Sequence, residues 1–298
     1  MAVLDKKGVR GRIGPLTYRV VGSKNIIQSR PGEGTVKQTL ASRICACEFG
    51  VASNTARAIR QIFYPVYQGL NDGGMINRLT SSVLKVIKGN REKNRGERDI
   101  HGGDLGYLNN FQFNTNSPLE ESFLVRPLVE LNEERKLTVT LPAFNVYKEL
   151  KIPEKSNVHT IRITAAAFNF EQEFYQYCGI HNFEIKRGKT KQEALEWVCP
   201  DLMPAGCIIL VSMSLLFSFN PYNMGTIVLN SKELQPAAII AAFETAKVEG
   251  ENVAVKAEEK KAEEKLDRGE IPLNNMMSLS GYEGNRLLEE LKRAKATK

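Results

Sequence analysis

Thirty consecutive residues, Leu202 to Ser231, contain no Asp, Glu, Lys or Arg. A stretch of that kind leaves water, either into a bilayer or into a core. Its apolar heart, Cys207 to Phe219, is about 20 Å long as a helix at 1.5 Å per residue. A bilayer core is roughly 30 Å thick. Pro204, Gly206, Asn220 and Pro221 bracket the segment, and Ser212, Ser214 and Ser218 interrupt it. A buried β-strand fits these constraints and a membrane span does not, so no transmembrane segment is expected.

The flanking sequence has the same texture. Leu137-Thr138-Val139-Thr140-Leu141 alternates strictly, and His159 to Ala165 alternates with its apolar members on one face. Further runs at 182–187, 207–217, 225–229 and 237–243 are punctuated by Pro, Gly and Asn. Thr190 to Trp197 is expected to be a short helix between strands. Many strands with few helices between them predict an antiparallel β-sandwich over 119–245. Helical periodicity lies upstream. Phe49, Ala52, Ala56, Ile59, Phe63 and Val66 recur at spacings of three and four, and Met75–Lys88 carries Leu79, Val83, Val86 and Ile87 as a stripe. Pro65 is placed to kink or end the first helix.

The N-terminus reads differently. Gly8, Gly11 and Gly14 lie in a basic arm with Arg10 and Arg12. Leu16–Val21 and Lys24–Gln28 flank Gly22-Ser23, which predicts a hairpin with a type II′ turn. An isolated hairpin is marginal in water, so it is expected to dock on the rest of the protein or on another subunit. Charge is concentrated at this end. Residues 1–99 hold 18 Lys+Arg against 7 Asp+Glu, whereas the rest hold 23 against 27. Such asymmetry points to an anionic partner or to an acidic surface on another copy of the chain.

The class is therefore α+β. A basic N-terminal hairpin and helical module (1–90) is followed by a linker (91–118), the β-sandwich (119–245) and a charged tail (246–298). Residues 256–267 in the tail have Glu and Lys four apart, which supports an exposed helix, but little apolar stripe, so they read as a spacer. Arg286–Ala296 is a final helix, with Asn285 as its cap and Leu287, Leu288 and Leu291 as a face that docks on a partner.

No residue set amounts to a reaction. Cys178-x-x-His181 with Cys199 and Cys207 lacks the spacing of a zinc knuckle, and Cys45-x-Cys47 is not a redox pair, so the five cysteines read as free thiols. The three histidines, His101, His159 and His181, sit in no nucleophile motif. The glycines at 8, 11 and 14 do not follow a phosphate-cradle pattern. No catalytic, cofactor or metal residue is assigned. The N-terminus shows no apolar signal-peptide core, which with the free thiols suggests a cytoplasmic location, alone or within a larger assembly.

The interaction residues expected from the sequence are Gly8, Arg10, Gly11, Arg12, Gly14, Tyr18, Arg19, Lys24, Arg30 and Lys37. They suit self-association or docking to an assembly partner. The alternative is a nucleic-acid-binding role, in which they track phosphates without reading bases. Several of these positions, with Gly22-Ser23-Lys24, Arg30-Pro31-Gly32, Val36-Lys37-Gln38-Thr39 and Phe49-Gly50-x-Ala52-Ser53, resemble the opening of an uncharacterised family of small, mostly Bacteroidota proteins. The resemblance implies a basic N-terminal module joined to a β-rich half and supplies no catalytic residues to carry over. It implies a non-enzymatic, structural or assembly protein no more strongly than the residues do.

Overall fold

The computed structural model describes residues 2–6, 8–21, 23–30, 32, 38–186, 188–221, 225–248, 271 and 273–296. The chain falls into two units, Met1–Arg43 and Ile44–Lys298.

The first unit is a sheet of four strands, β1 (Ala2–Asp5), β2 (Gly8–Ile13), β3 (Leu16–Val21) and β4 (Lys24–Ser29). They lie side by side in chain order, all antiparallel. Each connection spans two residues, because Asp5 pairs with Gly8, Ile13 with Leu16 and Val21 with Lys24. The expected hairpin is β3–β4. Gly22, and with it the turn type, lies outside the described residues, as do Lys37 and residues 249–270 of the tail. The expected arm, by contrast, is two more strands. Gly14 makes that feasible: it turns the chain at Gly14-Pro15 with φ +56°, a conformation that suits glycine. Beyond Ser29 the Arg30 amide donates to the Pro15 carbonyl at 2.8 Å, extending the β3–β4 pairing.

The second unit opens with α1 (Leu40–Ile62), which begins just before the unit boundary, the one-turn α2 (Tyr64–Tyr67) and α3 (Met75–Gly89). After β5 (Phe111–Gln112), the one-turn α4 (Leu119–Ser122), β6 (Leu128–Leu131), β7 (Leu137–Leu141), β8 (Phe144–Asn145) and the one-turn α5 (Val146–Glu149) come the long strands β9 (Val158–Asn169) and β10 (Phe174–Lys186). Then follow β11 (Lys191–Gln192), β12 (Leu195–Val198), β13 (Ile208–Phe219), β14 (Ile227–Val228), β15 (Ala237–Glu244), β16 (Met276–Ser278) and α6 (Gly284–Ala296). The main sheet runs β16-β10-β9-β13-β15-β5, with β14 also on β13, and β12-β7-β6 form a second sheet. All pairings between these strands are antiparallel.

β13 explains the charge-free segment. Ile208 and Leu210 enter a core shared with α1, α3 and α6, while Ile209, Val211 and Met213 enter a core shared with β7 and Trp197. The strand is central and covered on both faces, so neither phase of its alternation can be polar. The fold is α+β with facing antiparallel sheets and a helical layer on the outer face of the larger one.

Several boundaries differ from those expected. The helices do not belong with the hairpin. Val51, Ile59, Leu79 and Val83 pack in one core with Ala166, Phe168 and Ile239 of the main sheet, which moves the boundary from residue 90 to 43/44. Residues 91–118 are not a linker, since Ile100, Leu108 and Phe113 are fully buried. Asn90 holds this segment in place by donating to the His101 carbonyl at 2.6 Å and accepting from the amides of Glu92 and Lys93. Thr190–Trp197 is not a helix. It supplies β11 and part of β12, because Trp197 lies over Gly179, where only a residue without a Cβ fits, and Leu195 and Trp197 pair with Leu141 and Val139. Phe49 is 56% exposed and lies off the buried stripe of α1.

Candidate interaction surface

Opposed residues in a sheet share a face, and neighbours along a strand alternate. This sorts the N-terminal sheet into two chemically distinct faces. Ala2, Gly11, Tyr18 and Ile27 are opposed across all four strands, Leu4 faces Val9, and Ile13 faces Leu16. By alternation that face carries Leu4, Val9, Ile13, Leu16, Tyr18, Val20 and Ile27, with Asn25 and Ser29 of β4, and no charged residue. The other face carries Arg10 and Arg12 of β2, Arg19 of β3 and Lys24 of β4, with Val3, Val21 and Ile26 among them. Every Arg and Lys in the four strands is on that second face.

None of the described residues of this unit is buried. On the uncharged face Leu4 is 77%, Ile27 59% and Ile13 54% exposed. An apolar sheet face is stabilised by burial against another element. Within the sheet, the Arg12 Nε donates to the Gly14 carbonyl at 3.0 Å, which ties that side chain to its own turn. Gly8 lies against the Asn25 side-chain oxygen, so a Cβ there would collide.

Of the expected interaction residues, Arg10, Arg12, Arg19 and Lys24 are therefore brought together on one face. Gly11 and Tyr18 are opposed on the uncharged one. Gly14 is a turn residue, Arg30 follows β4, and Lys37 lies outside the described residues. The apolar partners, Leu4, Val9, Ile13, Leu16, Val20 and Ile27, were not picked out from the sequence. Their signal was present in the two-residue gap at Lys6-Lys7 and in Gly14-Pro15, which mark a meander of even hairpins.

The terminal leucines belong elsewhere. Leu288 and Leu291 are buried in the core that α6 shares with α1, and Leu287 packs against the same core. The Leu287 carbonyl accepts from the Cys47 thiol at 3.4 Å, and Leu291 packs beside Gly96. That face is already occupied by the chain's own helix, so it is not a partner-docking site. Asn285 is not its cap either. The helix starts at Gly284, and the Asn285 amide donates to the Phe170 carbonyl at 2.8 Å and to Glu173 Oε1 at 2.9 Å.

Of the five cysteines of the second unit, Cys47, Cys178, Cys199 and Cys207 are buried in its packing and Cys45 is exposed. Burial pushes the Cys178 thiol well above its usual range and that of Cys207 up to about 12, and raises those of Cys47 and Cys199. The Cys199 thiol donates to the Cys178 carbonyl at 3.3 Å. His181 stacks on Trp197 with ring centroids 5.8 Å apart, and desolvation lowers its pKa. Among the described residues no group of three His, Cys, Asp or Glu is placed to hold a metal ion. Nor is any helix among them long and apolar enough to cross a membrane.

Two histidines make close polar contacts. His101 Nε2 accepts from the Phe170 amide at 3.3 Å, so the proton sits on Nδ1, which faces Glu244 Oε1 at 3.1 Å. His159 Nδ1 lies 2.9 Å from Ser156 Oγ. Ser156 and His159 are each only 3% exposed, and Ser156 Oγ also meets the carbonyls of Val158 and Ser218 at 3.1 Å. These contacts fasten the start of β9 to the end of β13, and Ser156 and His159 line a small cavity with Ile152 and Pro153.

Comparison with protein-family models, curated proteins and solved structures gives no match for the chain.

Proposed function

We propose that this is a non-enzymatic assembly protein whose N-terminal sheet is its docking element and whose second unit is the body. The observation that carries this reading is the segregation of the sheet. Every Lys and Arg within its strands lies on one face, and the other is uncharged, mostly apolar and exposed. An apolar sheet face of this size is costly to leave in water and marks an association site. The body has two cores of its own, built from residues 44 onward. Light scattering of the full chain, and of the chain lacking residues 1–34, tests the reading. Self-association lost on truncation is expected; a full chain that stays monomeric at high concentration overturns it.

The clustering of Arg10, Arg12, Arg19 and Lys24 on one face favours a second reading, in which that face tracks nucleic-acid phosphates. Four phosphate contacts predict a log–log salt slope of about −3.6 on duplex DNA. Replacing all four by Gln abolishes the binding on this reading. Absence of binding at low salt ends it.

A further inference from the structure

The uncharged face of the N-terminal sheet points to a particular occupant. We infer that it is covered by the same face of a second copy, two four-stranded sheets stacking into an eight-stranded sandwich related by a two-fold axis. This inference rests on the assembly reading above and adds to it the partner and the face.

Charge argues against the alternative, that the sheet docks on the body of another copy. Residues 1–43 carry nine Lys+Arg and two Asp+Glu, so the chain's whole net charge of +7 is theirs. Residues 44–298 carry 32 of each sign. The acidic excess seen after residue 99 is cancelled by the basic helices of the same unit, and the body offers the sheet no net opposite charge. What remains to drive docking is the apolar face, and its own copy is self-complementary to it in chemistry and size. Stacking in this sense also disposes of the repulsion between two basic modules. Sheets pack face to face about 10 Å apart, which puts the two basic faces outermost, beyond a Debye length of about 8 Å at physiological salt. Stacking through the basic faces would instead bring Arg12 and Arg19 of both copies into a desolvated layer.

Size sets the strength. One strand of four residues and three of six, at about 4.8 Å spacing and 3.4 Å rise, give roughly 360 Å² per copy and about 700 Å² for the pair. Stable complexes bury about 1,200–2,000 Å². The contact is below the standard size of a stable interface, so the dimer is expected to depend on concentration.

The test uses the full-length chain with the exposed Cys45 replaced by Ser. Tyr18→Cys places a thiol on the central strand of the uncharged face; Arg19→Cys places one at the next position on the basic face. With a short bis-maleimide, the Tyr18→Cys protein is expected to give covalent dimer and the Arg19→Cys protein little. Sedimentation velocity of Leu16→Glu/Ile27→Glu against Thr17→Glu/Gln28→Glu gives a second readout. The first pair is expected to weaken association at least tenfold and the second, on the same strands, to leave it within about twofold. Equal crosslinking from both positions, or equal loss from both pairs, overturns the inference while self-association that needs residues 1–34 still upholds the assembly reading. Association of the full chain with a copy lacking residues 1–34 places the sheet on the body and also overturns it. A full chain that is monomeric throughout removes both.

Discussion

Asp72 holds together three segments of the second unit, and its replacement by Asn has a magnitude that can be worked out. Its carboxylate accepts from Arg78 Nη1 at 2.6 Å and the Gly74 amide at 2.7 Å on one oxygen. On the other it accepts from Arg78 Nη2 at 2.7 Å and the Thr115 amide at 3.0 Å. These bonds tie the turn before α3 to α3 itself and to the segment leading into α4. Asn keeps one acceptor oxygen and turns an NH₂ group on two donors, so two charge-assisted bonds are lost. Each is worth about 1.5–3 kcal/mol. The Arg78 side chain is 34% exposed, so solvent recovers part of that, and its Nη2 keeps a bond to the Gln112 carbonyl at 3.0 Å. The expected loss is about 3 kcal/mol at pH 7, measured by urea unfolding of the full chain.

The same site predicts a pH dependence. The hydrogen bonds from Arg78 hold the Asp72 carboxyl well below the usual carboxylate range. A depressed carboxyl contributes stability that is complete above its unfolded value, about 3.9, and is lost as pH falls toward the folded value. By linkage about 1.3 kcal/mol of it has gone by pH 3. The amide of the Asp72→Asn variant does not titrate, so the gap between the two proteins should narrow by that amount between pH 7 and pH 3. A gap under about 1 kcal/mol at pH 7, or one that fails to narrow, would refute the reasoning.

Three further outcomes can be checked directly. Gly179→Ala puts a Cβ 2.6 Å from Trp197 Cζ2, so it should cost about 2 kcal/mol by overpacking and shift the emission of Trp197, the chain's one tryptophan. In the native protein a thiol reagent should modify Cys45 alone, since Cys47, Cys178, Cys199 and Cys207 are buried and burial holds their thiols protonated; mass spectrometry should count one adduct before denaturant and five after. Leu291→Ala, at 5% exposure in the core beneath α6, should destabilise the fold by about 2–3 kcal/mol, whereas Glu290→Ala beside it should stay within about 0.5 kcal/mol in thermal or urea unfolding.

Much of the fold could be read from local pattern. The charge-free run became β13, the alternating runs became β7 and β9, and the three- and four-residue spacing became α1 and α3. These are properties of one segment and the period of its own backbone. The hairpin at Gly22-Ser23 and the grouping of basic residues near the N-terminus were legible for the same reason. What could not be read were pairings between distant segments. Residues 91–118 are polar enough to pass for a linker, yet Asn90 and the buried Ile100, Leu108 and Phe113 hold them down. Trp197 ended a run that looked helical, until Gly179, from a strand 18 residues earlier, offered it a place to lie. The leucines of α6 formed a docking face whose partner was α1 of the same chain.

At the N-terminus the two levels meet. The sequence alone determined that the module is basic, glycine-punctuated and strand-forming. Only the strand register decided that Arg10, Arg12, Arg19 and Lys24 share one face and that Leu4, Ile13, Leu16 and Ile27 share the other. The reason is the period of two: within a strand it fixes which residues lie together, but between strands a one-residue change of register would have exchanged the faces and mixed charge with hydrocarbon.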